Sequence, residues 1–237
     1  MRLRNRLFIG LISLFALLVM MTAVLDVEMA FAFSSGPQDG KTGAPGENNC
    51  TQCHGSFALD SGAGGWLEWN FGEVLEYDPG ATYNLTFEIF DPQASLWGFE
   101  ITFIHAAGDQ AGVLSSVDGN TQVSSSVQGG HLRQYGKQTS AGTAAGVPNE
   151  TTWDLTWVAP ASGAGAVTLY GMANAANNNG SSSGDYIYSM QIELGESATD
   201  AGSAPLAAVL KPNYPNPFNP KTNVAFALEQ EAAVKLS

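Results

Sequence analysis

Between residues 66 and 195 apolar and polar side chains alternate with a period of two, and short runs of Gly, Asn, Asp and Ser break the pattern. Tyr83, Leu85, Phe87 and Ile89 alternate with Asn84, Thr86 and Glu88, and Phe99, Ile101 and Phe103 with Glu100 and Thr102. Trp153, Leu155 and Trp157 alternate with Asp154 and Thr156, while Tyr186, Tyr188, Met190, Ile192 and Leu194 form a further apolar face. Adding Trp66–Phe71, Val123–Val127 and Val167–Met172 gives roughly seven to nine strands, without an amphipathic helix of useful length. Strands of this number and spacing predict an all-β fold, an immunoglobulin-like antiparallel β-sandwich. The aromatic residues on these faces are expected in its core rather than at a binding surface.

The flanks behave differently. Residues 34–65 hold eight glycines and two prolines and leave no room for a long helix, so an irregular segment is expected there. Before it, Arg2, Arg4 and Arg6 precede an apolar run from Leu7 to Leu25, and Ala30-Phe31-Ala32 offers a small-x-small cleavage site. This is the layout of a secretory signal peptide over residues 1–32. The apolar run is also near the length that spans a bilayer, so an uncleaved anchor is the alternative. Both place the remainder outside the cytoplasm. After the sandwich, residues 196–209 read as a small-residue linker and residues 210–237 as a separate Pro-rich piece with apolar alternation at Val224, Phe226 and Leu228.

Composition narrows the function classes. Of 237 residues 44% are hydrophobic, enough for one sizeable core, and only 13% are charged. The net charge is −13; without residues 1–32 there are 6 basic and 20 acidic residues, a net of −14. Such a surface repels nucleic acid and anionic membranes, so contact with a membrane is expected only through the signal or anchor segment or the secretion machinery.

The chain has only two cysteines and three histidines, and Cys50-Thr51-Gln52-Cys53-His54 gathers three of these five residues. C-x-x-C-H is the attachment pattern of c-type haem. Two thiols bind the porphyrin vinyl groups, and the adjacent histidine becomes the proximal iron ligand. A small disulfide, a redox pair or half a zinc site are the competing readings. A structural zinc site wants a second pair of ligands, which is missing, and a thioredoxin-like pair should open a helix in a βαβ pattern. Covalent haem c, one per chain, held by Cys50 and Cys53 with His54 on the iron, is therefore the leading expectation.

A sixth iron ligand has few sources: His105, His131, Met172 and Met190. His131 follows Gly129-Gly130 in what reads as a flexible polar loop and ranks first as distal ligand; His105, which continues the Phe99–Phe103 face, ranks second. Met190 reads as core, Met172 is ambiguous, and an open iron is the remaining choice. Asp185 and the Asn177–Asn179 run offer loop oxygens for calcium, but without EF-hand spacing a structural turn is the stronger reading. No H-E-x-x-H or phosphate-loop motif is present, and an enzyme is not the expectation.

Asp39-Gly-Lys-Thr-Gly-Ala-Pro-Gly-Glu47 with the following C-x-x-C-H resembles the start of a choice-of-anchor V domain. The runs Trp153–Pro160, Val167–Tyr170, Ala173–Asn177 and Gly184–Tyr188 resemble its later motifs, so the likeness spans about residues 36–194. The resemblance implies a reeler-like sandwich in an exported bacterial protein. That family tends to carry His-Thr where this chain has Gln138-Thr139. Asn213-Tyr-Pro-Asn-Pro-Phe-Asn-Pro220 is similar to the opening of type IX secretion sorting domains and of the related hook-capping Ig-like domain, here cut short. It implies an extracellular or cell-surface location; a periplasmic one is the alternative. The expected function is a monohaem c-type protein serving electron transfer or haem-based ligand sensing, with a redox partner protein or a cell-surface component as partner. An adhesion or polymer-binding module with a structural haem is the alternative, and peroxidase-like chemistry, which needs a distal acid–base pair, is a third.

Overall fold

The computed structural model describes residues 33–70 and 75–197, together with the backbone of 209–210 and 226–227. The expected signal segment, most of the linker and most of the sorting-like tail lie outside the described residues. Ten strands follow one another: β1 (Trp66–Trp69), β2 (Glu76–Tyr77), β3 (Thr82–Asp91), β4 (Leu96–His105) and β5 (Val113–Ser116), then β6 (Thr121–Gln128), β7 (His131–Gln138), β8 (Asn149–Val158), β9 (Val167–Ala176) and β10 (Tyr186–Glu196). They build a four-stranded sheet, β1-β3-β8-β5, and a six-stranded sheet, β2-β10-β9-β4-β7-β6. Pairing is antiparallel except for the short parallel β2–β10 contact. In the tail, β11 (Val209–Leu210) pairs with β12 (Phe226–Ala227).

The alternation read from the sequence sets the packing. Leu85, Phe87 and Ile89 of β3 and Trp153, Leu155 and Trp157 of β8 meet Phe99, Ile101 and Phe103 of β4 and Tyr188, Met190 and Leu194 of β10 in one buried core. Phe99 stacks on Trp153 and Phe103 on Trp157, each at 4.4 Å between ring centroids. The buried indoles keep their N–H bonded: Trp97 to Val147 O, Trp153 to Gly142 O and Trp157 to Ala111 O. Aromatic burial of this kind dominates sandwich stability, and the chain is the β-sandwich its pattern predicts.

The outer face of the six-stranded sheet departs from the simple alternation. Glu100 and Thr102 on β4, Met172 on β9 and Arg133, Tyr135 and Lys137 on β7 should face water, yet all are buried. Residues 35–54 lie across them. Lys137 Nζ reaches Asp39 Oδ1 at 2.5 Å and Pro37 O at 2.8 Å, and Arg133 Nη1 reaches Glu47 Oε1 at 2.6 Å and Pro45 O at 3.1 Å. The Tyr135 hydroxyl donates to the same Glu47 oxygen, and Lys41 N donates to Glu100 Oε2. Gly43, at φ +76, sits so close that a Cβ there would lie 2.5 Å from Met172 Cε. Thus the irregular N-terminal segment is a cover of the sandwich rather than a free arm.

Beyond the C-x-x-C-H turn the chain is tied again: Asp60 accepts from Ser189 N and Ser189 Oγ, and Phe57 stacks on Tyr186 at 4.2 Å. One expectation about loops needs correction. Gly129 and Gly130, at φ 59 and 89, form the two-residue turn of the β6–β7 hairpin. His131 is therefore the first residue of β7, paired with Gln128, and not part of a swinging loop.

Candidate functional site

Cys50–Gln52 forms a single 3-10 turn capped by Asn49, whose Oδ1 accepts from Thr51 N at 3.0 Å. Cys53 N and His54 N both donate to Cys50 O, at 3.2 and 3.0 Å. A helical turn brings positions i, i+3 and i+4 to one side, so Cys50, Cys53 and His54 share a face despite the glycine-rich flanks. Both cysteines are free thiols, Cys50 half-buried and Cys53 exposed. Burial, reinforced by the negative charge of Glu100 and of Cys53, pushes the Cys50 thiol up to about 12.

Cys50, Cys53 and His54 all line a cavity of about 580 Å³ between the N-terminal segment and the sheet, with Cys50 Sγ 3.8 Å from Lys41 O. That is within the ~300–1,000 Å³ of ordinary ligand and cofactor pockets. Its walls include Phe33 and Lys41 from the segment, Leu96, Trp97 and Phe99 at the start of β4, and Gln138 at the end of β7. Gln138 is fixed by Phe99 N, which donates to its Oε1 at 2.8 Å.

His54 is oriented from the sheet side. Its Nδ1 lies 2.7 Å from Oδ2 of Asp185, a carboxylate only 1% exposed. Asp185 in turn accepts through Oδ1 from Asn177 N at 3.2 Å, closing the loop between β9 and β10. Asn174 Nδ2 lies 3.3 Å from Nδ1 and 3.4 Å from Nε2. A nitrogen nearly equidistant from both ring nitrogens lies off the lone-pair axis of each, so the outward direction of Nε2 is not taken by that amide. Asn174 Oδ1 is buried without a partner among the described residues, a polar atom left over at the cavity wall.

The other histidines lie elsewhere. His105 and His131 line a second hollow, of about 340 Å³, with Gly108, Arg133, Thr168 and Tyr170. His131 Nδ1 meets Asp109 Oδ1 at 3.0 Å. His105 is in register with Val167, whereas Asn174, which touches His54, is in register with Gly98. The seven residues from Val167 to Asn174 correspond to about 23 Å of strand. The two expected distal ligands are therefore at the far end of the sheet from His54, too far to share one iron with it. Met172 lies beneath Gly43, and Met190 is in the core as expected.

Asp185, Asn174 and Gln138 were not identified from the sequence as partners of the Cys-x-x-Cys-His turn. The first two lie in Gly184–Tyr188 and Ala173–Asn177, runs that stand out in the sequence, but no spacing rule links position 54 to position 185. Gln138 stands where the resemblance implies a histidine, and the structure puts that position on the cavity wall. Among the described residues no group of three or more His, Cys, Asp or Glu is arranged to hold a free metal ion.

The site thus belongs to a β-sandwich whose outer sheet face is roofed by a cysteine-bearing segment. No family model matches the chain, and no curated protein matches it. Among solved structures it is similar to the Reelin-N domain of F-spondin, with 19% identity, a TM-score of 0.40 and coverage of 62% of this chain and 96% of that one. It is similar to the human F-spondin reeler domain at 18% identity and TM-score 0.40, over 60% of this chain and 95% of that one. A DUF4466 family protein from Parabacteroides merdae follows at 10% identity and TM-score 0.31, over 64% of this chain and 48% of that one.

Proposed function

We propose that the chain is an exported monohaem c-type protein that senses a small ligand at the iron or passes single electrons. Haem would be held by thioether bonds from Cys50 and Cys53 and by His54 Nε2. The observation that carries this reading is the helical turn that turns two free thiols and an imidazole to one face, lining a cavity of about 580 Å³. Each S–H adds across a vinyl C=C, so the thiol hydrogen ends on carbon and nothing is released. Bound there, haem supplies an iron that exchanges one electron or takes a diatomic ligand.

The chain's own residues do the rest. Phe33 and Leu96 line the cavity as apolar neighbours for the porphyrin. Asp185 holds the imidazole by Nδ1, which leaves Nε2 as the ring nitrogen for the iron. Among the described residues lining the cavity, His54 is the only histidine and methionine is absent, while Lys41 Nζ is bonded to Gln52 Oε1 at 2.5 Å. This favours an iron open to an external ligand over a fully protein-ligated one. The roof is already held by Asp39–Lys137 and Glu47–Arg133, so a haem serving only to brace the segment has little to add. The sorting-like tail supports a surface or extracellular location.

Carbon monoxide binding to the reduced protein, exported in a host that matures c-type cytochromes, tests the reading. Rapid formation of a carbon monoxide complex supports the open site, and a low-spin haem that excludes it points to electron transfer alone. Absence of haem overturns the proposal.

A further inference from the structure

Asp185 is more than a turn residue. The loop after β9 is held independently of it, by Asn177 Nδ2 on Ser183 O and Gly184 O and by Asn179 Nδ2 on Ser183 O. Asp185 Oδ1 closes the loop on Asn177 N, which leaves Oδ2 for His54 alone. A carboxylate 1% exposed is costly to bury without a compensating partner. Among the described residues no lysine or arginine pairs with it. A neutral amide would close the same turn. The charge is therefore spent on the imidazole.

We infer that Asp185 is a positioning residue for a metal-ligating His54: its buried carboxylate accepts the Nδ1 proton, fixes Nε2 as the ligating nitrogen and strengthens it as a donor. The inference rests on the haem reading given above. Hydrogen bonds of this kind fix the tautomer and ring orientation and raise ligand basicity. A carboxylate does so more strongly than a neutral acceptor, because the bond is charge-assisted. A stronger donor favours ferric over ferrous iron, so Asp185 holds the reduction potential down. Asn174, with its amide across the ring, restricts the rotation that would break the pair.

Asp185→Asn tests this, since its amide oxygen can still accept from Asn177 N while the charge is lost. Wild type and variant are exported in a host with cytochrome c maturation, and haem content, reduction potential and the ferrous iron–histidine stretching frequency are measured. The variant is expected to carry haem, to lose about tenfold in its preference for ferric iron, a rise of about 59 mV for a one-electron couple, and to show a lower stretching frequency. A haem-loaded variant with wild-type potential and frequency overturns the inference and leaves the haem reading standing. If the variant does not accumulate folded, the wild type decides. A stretching frequency no higher than that of a c-type haem whose histidine bonds a backbone carbonyl overturns the inference, and a higher one supports it. A wild type without haem overturns both.

Discussion

Arg133 and Glu47, 86 residues apart in the chain, meet at 2.6 Å between Nη1 and Oε1 with both side chains withdrawn from water. Glu47 Oε1 also accepts from the Tyr135 hydroxyl and Oε2 from Thr42 Oγ1, while Arg133 Nε donates to Gly108 O. The pair fastens the roof segment to β7. Removing one partner strands the other charge in the interior, at a cost of about 3–5 kcal/mol. Arg133→Met should therefore lower stability by about that much in urea unfolding, and Glu47→Leu added to it should restore a large part. A single variant within about 0.5 kcal/mol of wild type, the scale of an ordinary surface substitution, would contradict the burial of the pair.

Glu100 makes the roof sensitive to pH. Burial raises its carboxyl from 4.5 to about 8, against the opposing bond from Lys41 N and the charge of Lys137. The folded state binds the proton more tightly than the unfolded chain. Its contribution is thus fully present below pH 4.5 and is lost as the pH rises through about 8. Denaturation midpoints of wild type and Glu100→Gln should diverge across that window, the variant gaining relative stability as the pH rises. Parallel profiles would show that Glu100 is not buried as described.

The two thiols should differ in the haem-free protein. With Cys50 pushed up to about 12, its thiol stays protonated at pH 8. Cys53 is exposed. Iodoacetamide at pH 8 should label Cys53 first and Cys50 only slowly, as read by peptide mass spectrometry. Equal rates would contradict the partial burial of Cys50, whose Sγ lies 3.8 Å from Lys41 O.

At the other end, the sandwich reaches further than expected. The linker was expected from residue 196, but Glu196 closes β10 and accepts from Gly163 N and Gly165 N, each at 2.7 Å. Ser197 Oγ donates to Asp78 Oδ1 at 2.6 Å. Truncation after Ser197 should leave the thermal midpoint unchanged, whereas truncation after Leu194 should lower it. Equal midpoints for the two truncations would remove Glu196 from the fold.

The core was legible because its central strands carry a clear alternation, as in Tyr83–Ile89 and Trp153–Trp157. β7 was missed for a physical reason: His131–Gln138 buries Arg133, Tyr135 and Lys137 against the roof, so its buried face is polar. β5 and β2 are four and two residues long, too short for a period to register. The thiols and His54 were legible as a local motif. Asp185 was not, because 131 residues separate it from His54 and only the β9–β10 loop brings it there.

The central claim is that Cys50, Cys53 and His54 hold one covalent haem, and intact mass spectrometry with a pyridine haemochrome spectrum tests it most directly. The wild-type protein, exported with cytochrome c maturation, should gain the mass of one haem and show the spectrum of a doubly thioether-linked haem. Cys50→Ser combined with Cys53→Ser should show neither. A wild-type chain at its bare polypeptide mass, folded and without a haemochrome band, would contradict the account.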